Sequence, residues 1–169
     1  MAIDELDGRL IELFTAEPRV GVLEASRRLG VARGTVQARL DRMARDGVIA
    51  GHGPEIDTAA LGYGVTAFVT LQIRQSQGRG HSGHDPVAAR LAQVPEVIEA
   101  HTITGPGDML CRVVARSNTD LQRVIDVIVD VAGVERASSV ISLATQVAYR
   151  TLPLVRAAAE GKPGGRPPG

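Results

Sequence analysis

The sequence predicts an α+β chain of two units, and three observations carry the prediction. Apolar residues recur at helical spacing up to about residue 46, whereas Val65, Ala67, Val69, Leu71 and Ile73 alternate strictly with Thr66, Phe68, Thr70, Gln72 and Arg74. A connector containing GHGP and LGYG separates the two regimes. Beyond it the signals run strand, helix, strand, strand, helix, strand, the ferredoxin-like βαββαβ order. The expected division is a helical domain at 1–50, a hinge strand and linker at 51–64, a βαββαβ domain at 65–154 and a disordered tail at 155–169, rich in Gly, Pro and basic residues.

Each element has a local reason. Leu6, Leu10, Leu13 and Phe14 share a face of a helix over 4–17, with Asp4 to cap it and Pro18 just beyond its end. Two further helices are expected at about 22–29 and 33–46, the latter closed by Gly47. Val48, Ile49 and Ala50 read as a short extended segment. After the strand at 65–74, residues 75–85 form a polar Gly- and Ser-rich loop, and Pro86 opens a helix running to Val94. Strands at 97–104 and 108–116 flank the hairpin turn Gly105-Pro106-Gly107-Asp108. A helix at 118–131, capped by Asn118, and a long strand at 134–149 complete the order. Helices over one sheet face leave the other uncovered, and an uncovered, partly apolar face predicts a second copy.

The stretch Gly21–Gly51 is the most informative. Two short amphipathic segments flank Gly30, with small Ser26 before it and apolar Val36 after it. Steeply crossing helices need a small side chain at the crossing, a turn residue tolerant of positive φ and an apolar anchor on the second helix. That second helix exposes Arg33, Thr35, Gln37, Ala38, Arg39 and Arg42, side chains able to reach base edges and phosphates, with Arg28 on the first. From Arg19 to Arg45 there are seven arginines against Glu24 and Asp41, a local charge of +5 in a chain whose formal net charge is 0. Such a concentration on one element is a footprint for a polyanion.

Composition excludes other classes. Aromatics make up 2% of the chain, against a stacking platform for single-stranded nucleic acid. Cys111 is the single cysteine and sits in an apolar run, which favours a buried free thiol. No apolar run suits a signal peptide or a membrane span, so a cytoplasmic protein without membrane contact is expected. His81 and His84 in GRGHSGHD have metal-ligand spacing, but a glycine-rich loop favours solvated histidines, and no metal site is assigned. No nucleophile–base pair or phosphate loop is present, and no catalytic residue or cofactor is assigned.

The opening LDGRLIELF, the stretch TVQARLDRMARDGVIAGHGPEIDTAALGYG, the segment PEVIEAHTITGPGDMLCRVVA with its Gly-x-x-Asp turn, and GVERASSVISL together resemble the Lrp/AsnC, or feast/famine, family of transcriptional regulators. The resemblance covers about 4–154. It implies an N-terminal winged helix-turn-helix domain and a C-terminal ferredoxin-like effector domain. It also implies a homodimer or higher even-numbered homo-oligomer, and an amino-acid or related effector bound between effector domains. On that reading Gly105, Pro106, Gly107 and Asp108 form the ligand turn. The turn's backbone N–H groups, at Gly105, Gly107 and Asp108, would hold a carboxylate, the Asp108 side chain would hold an ammonium, and Ser139 would add a hydroxyl. Two departures stand out: Ala32 where the family usually has a capping Ser, and Ala137 and Ser139 where it often has two Thr. Two alternatives share the architecture or the charge: an enzyme similar to siroheme decarboxylases, with His101 near a tetrapyrrole, and an architectural protein that coats DNA.

Overall fold

The structure, a computed structural model, describes residues 3–51, 53–74 and 84–161. Its contacts divide into two compact units, one formed by the chain up to Pro54 together with the chain from Val147 on, the other by Glu55–Gln146.

The first unit is helical. α1 (Glu5–Ala16), α2 (Val22–Leu29) and α3 (Arg33–Arg45) close over a core of Leu10, Ala25, Val36 and Met43, all fully buried. Asp4 caps α1 reciprocally: Asp7 N–H donates to Asp4 Oδ1 at 2.9 Å, and Asp4 N–H donates to Asp7 Oδ2 at 3.1 Å. Gly30 ends α2 at φ 68°, a left-handed conformation that an L side chain resists. Buried Ser26 satisfies its hydroxyl on Leu23 C=O at 2.8 Å, so the helix crossing carries no orphaned polar atom there.

The second unit is the expected βαββαβ sandwich. β1 (Val65–Ile73), α4 (His84–Leu91), β2 (Val97–Thr102), β3 (Met109–Ala115), α5 (Asn118–Val129) and β4 (Val134–Ile141) follow in chain order. The sheet is antiparallel in the order β2-β3-β1-β4. Ala67, Val69, Leu71 and Ile73 of β1 and Met109, Cys111, Val113 and Ala115 of β3 face the helices, where Val87, Leu91, Leu121, Val124 and Ile128 meet them. Burial pushes the Cys111 thiol up to about 11, leaving a neutral apolar-like side chain. Thr66, Phe68, Thr70 and Gln72 point to the open face, and their directly paired neighbours Val114, Arg112, Leu110, Val140, Ser138 and Arg136 share it.

Five expectations are corrected. The short extended segment expected at 48–50 is a bend, and the hinge strand expected within 51–64 does not form among the described residues: Val48 and Ile49 N–H both donate back to Met43 C=O, at 2.9 and 3.1 Å. Those donors are used within the helical unit, so no strand partner is needed. α5 is capped by Ser117, not Asn118, because Ser117 Oγ accepts from Asp120 N–H at 3.1 Å. The last strand ends at Ile141, not Tyr149: Ser142 N–H still donates to Thr66 C=O at 2.9 Å, but β1 begins at Val65 and offers no ladder much beyond that point. Residues 155–159, expected in a disordered tail, belong to α6 (Leu152–Ala159), with Pro153 in its first turn. The Gly- and Pro-rich residues 162–169, like the loop at 75–83 that contains His81, lie outside the described residues.

α6 packs on α1 within the helical unit. Arg156 Nε donates to Glu12 Oε1, and buried Gly8 lets the two helices approach: a Cβ at residue 8 would lie 2.9 Å from the Cβ of Ala159. This contact fixes the sign of a substitution. Ala is the better helix residue by roughly 0.5–1 kcal/mol, so Gly8→Ala should stabilise a chain ending at Arg150. In the full chain it should instead lower the melting temperature, and Ala159→Gly should restore it. Equal stabilisation of both chains in thermal denaturation would show that α6 does not dock there.

Candidate functional site

The sequence singles out two places, one in each unit. In the helical unit, Val36 and Met43 bury one edge of α3, and Leu40 lies half-buried between them. At about 100° per residue, Gly34, Ala38, Asp41 and Arg45 fall opposite that edge, flanked by Gln37 and Thr35. Arg33, Thr35, Gln37 and Ala38 are all exposed, as expected. Gln37 Nε2 donates to Asp41 Oδ1 at 2.8 Å, which holds the amide on the outer face of the helix. The start of α3 has no side-chain cap. Ala32 supplies only its C=O, to Thr35 and Val36 N–H at 3.0 and 3.2 Å. That leaves the N–H groups of Arg33 and Gly34 without a partner among the described residues, an arrangement suited to a phosphate.

The structure corrects the placement of Arg39 and Arg42, expected on the same outer face. Arg39 falls only about 60° round the helix from Val36, on the shoulder against α1. Its Nη1 donates to Asp4 at 2.6 Å and to Asp7 Oδ1 at 2.9 Å, while Arg42 Nη2 donates to Asp7 Oδ2 at 2.5 Å. Asp7 is fully buried and takes a charged donor on each oxygen. The Arg39 guanidinium, with help from Asp7 N–H, holds the Asp4 carboxyl below the usual carboxylate range. Arg28 is likewise engaged, with Glu17 at 2.6 Å and Glu24 at 2.9 Å. The charge of the Arg19–Arg45 stretch is thus partly met by Asp4, Asp7 and Glu17, acids that lie outside it in sequence. Among the described residues Arg19, Arg33 and Arg45 have no ion-pair partner. Sequence reasoning missed Asp7. Its spacing from Asp4 signals a capping box, but nothing local reveals that α3 lies across it.

In the βαββαβ unit the Gly105–Asp108 turn forms as expected. Gly105 takes φ 113°. Gly107 is buried, and a Cβ there would lie 2.3 Å from Thr70 Cγ2 and 3.2 Å from Leu71 O, so only glycine fits. Gln72 Nε2 donates to Pro106 C=O at 3.1 Å. The turn therefore folds over the open-face side chains Thr70 and Gln72. Asp108 closes the end of the β1–β3 ladder. Its N–H donates to Leu71 C=O at 2.8 Å, and its Oδ2 accepts Ile73 N–H at 2.7 Å. Ser139 is placed differently from the expectation. It pairs with Val69 and so shares the helix-side face, and β1 separates its strand from the strands of the turn. The hydroxyl on the same face as the turn is Ser138, paired with Thr70. His101 is exposed on the open face, its Nε2 3.9 Å from Glu99 Oε2.

A three-helix reading head followed by a βαββαβ domain with a glycine-built turn defines the class: a helix-turn-helix transcriptional regulator with a ligand-binding domain. Residues 3–44 match the AsnC-type helix-turn-helix domain, and residues 66–152 match the Lrp/AsnC ligand binding domain. The chain belongs to the Lrp/AsnC family of transcriptional regulators. It is 28% identical over 152 residues to the HTH-type transcriptional regulator FL11 of Pyrococcus horikoshii, covering 90% of this chain and 97% of that one. The structure of E. coli AsnC superposes with a TM-score of 0.80 at 25% identity, covering 90% of this chain and all of that one. A feast or famine regulatory protein from M. tuberculosis, solved in complex with L-methionine, gives a TM-score of 0.75 at 28% identity, with 88% and 97% covered. Among the described residues no helix is long and apolar enough to cross a membrane.

The close approach at Gly107 yields a direct test. Gly107→Ala should destabilise the protein by about 1–3 kcal/mol through overpacking, and Thr70→Ser, which deletes the clashing methyl, should recover part of the loss. Chemical denaturation reads both, and a neutral Gly107→Ala would mean that the turn stands clear of β1.

Proposed function

We propose that the helical unit reads duplex DNA through the outer face of α3, with Arg33, Thr35, Gln37 and Ala38 toward the groove and the uncapped helix start toward a phosphate. The observation that carries this is the division of α3 into a fully buried edge at Val36 and Met43 and an exposed polar face opposite. A helix gripped along one edge and bare along the other can enter a major groove without unfolding its own domain. The wild type should prefer selected genomic duplexes over unrelated DNA in an anisotropy titration. Arg33→Ala should flatten the dependence of log K on log salt by about one unit. Equal affinity for every duplex would favour an architectural protein that coats DNA instead.

We further propose that two copies associate through the open sheet face. Phe68 and Val140 are a cross-strand pair on that face, 38% and 63% exposed, which is apolar surface a single copy leaves in water. Phe68→Glu should shift the full chain toward monomer in sedimentation, and an unchanged dimer would place the interface elsewhere.

An amino acid is the proposed effector, bound near Gly105, Pro106, Gly107 and Asp108. The M. tuberculosis relative bound to L-methionine supports this reading. So does Asp108, whose Oδ1 keeps no hydrogen bond among the described residues while Oδ2 serves the ladder. A ligand that binds only the folded protein raises its melting temperature by mass action. A thermal-shift screen of the L-amino acids, methionine included, should find such a ligand, and Asp108→Asn should weaken the shift. A shift of the same size in wild type and variant would make Asp108 a ladder residue alone.

A further inference from the structure

We infer that Asp4 and Asp7 are positioning residues for DNA reading: they hold Arg39 and Arg42 off the nucleic acid, aim α3, and mask two of its charges. The inference rests on the reading of α3 as the DNA-entering helix.

Three observations support it. Asp7 is fully buried, and its two oxygens are divided between the two arginines, Arg39 on Oδ1 and Arg42 on Oδ2. Both arginines are drawn back from solvent. Their side chains are 26% and 38% exposed, against 70% for Arg27, and Arg42 Nε is itself buried without a partner among the described residues. Both acids are also held by contacts that do not involve α3, because each accepts the other's N–H in the α1 capping box. The two carboxylates therefore sit at the positive end of α1, where a helix terminus favours negative charge, and they receive α3 at two points about one helical turn apart.

The consequence concerns selectivity. Each arginine that neutralises a phosphate adds to affinity on every sequence and carries no base information. Holding two arginines on carboxylates lowers sequence-independent binding while leaving base-reading side chains in place. The carboxylates also fix the angle of α3, so loss of an acid both loosens the helix and releases a cation.

The experiment is an anisotropy titration of wild type and variants on a duplex selected from genomic fragments and on an unrelated duplex, each over a range of salt. The wild-type titration tests the underlying reading, since failure to bind either duplex would remove DNA recognition itself. Given binding, Asp7→Asn should steepen the salt dependence by about one unit and reduce the preference for the selected duplex at least severalfold. Arg39→Gln and Arg42→Gln should reduce that preference with the salt slope unchanged, whereas Arg33→Ala should flatten it. Should Asp7→Asn fail to fold by circular dichroism, Asp4→Asn replaces it. Asn keeps the cap acceptor, and removing the charge beside Arg39 should again steepen the slope. The inference is overturned if Arg39→Gln and Arg42→Gln each flatten the slope by about one unit, or if neither acid-to-amide variant that folds changes it.

Discussion

The buried carboxylate of Asp7 is the constraint on which the helical unit depends. It closes the N-terminus of α1, receives two guanidinium groups from α3, and so ties the first helix to the helix that carries the exposed polar face. A buried carboxylate left alone carries a large desolvation penalty. The position of α3 is therefore set by electrostatics as well as by the four-residue core of Leu10, Ala25, Val36 and Met43. Partly buried Leu6, Phe14, Leu29 and Leu40 extend that core, and two charged contacts beyond its edge tie α3 to α1. The face proposed to read DNA is what the two carboxylates leave free: Gln37 and Ala38 on the far side of α3 and Arg33 exposed in its first turn, whereas Arg39 is held against α1.

The second unit is organised by a comparable economy around Asp108 and Gly107. Backbone, carboxylate and missing Cβ all serve the approach of the β2–β3 turn to the end of β1. The same turn covers Thr70 and Gln72 on the open face, so its shape and that of the open sheet face are parts of one construction. On the proposed reading, a ligand that alters the turn would meet both, and occupancy would be coupled to assembly.

Much of this was legible in the sequence, for reasons that can be named. The change from helical spacing to alternation placed β1 and the order of elements after it, because burial on one side leaves a periodic trace. Ser26, Gly30 and Val36 marked the helix crossing through size and backbone freedom. What was not legible involves contacts between residues far apart in the chain. The charge of the 19–45 stretch looked unbalanced because Asp4, Asp7 and Glu17 lie outside it. Ser139 looked adjacent to the ligand turn because strand order is not chain order: β1 runs between them. The tail composition of Gly, Pro and basic residues obscured α6, whose Ala-rich face becomes readable only with Gly8 opposite it.

The central claim is that α3 meets DNA with its outer face while Arg39 and Arg42 remain on the carboxylates. The most direct measurement follows the Arg side-chain Nε–H resonances by NMR as a selected duplex is added. The account predicts that the Arg33 signal shifts while those of Arg39 and Arg42 keep the positions they have in the free protein. Large shifts of Arg39 and Arg42, with Arg33 unmoved, would contradict it.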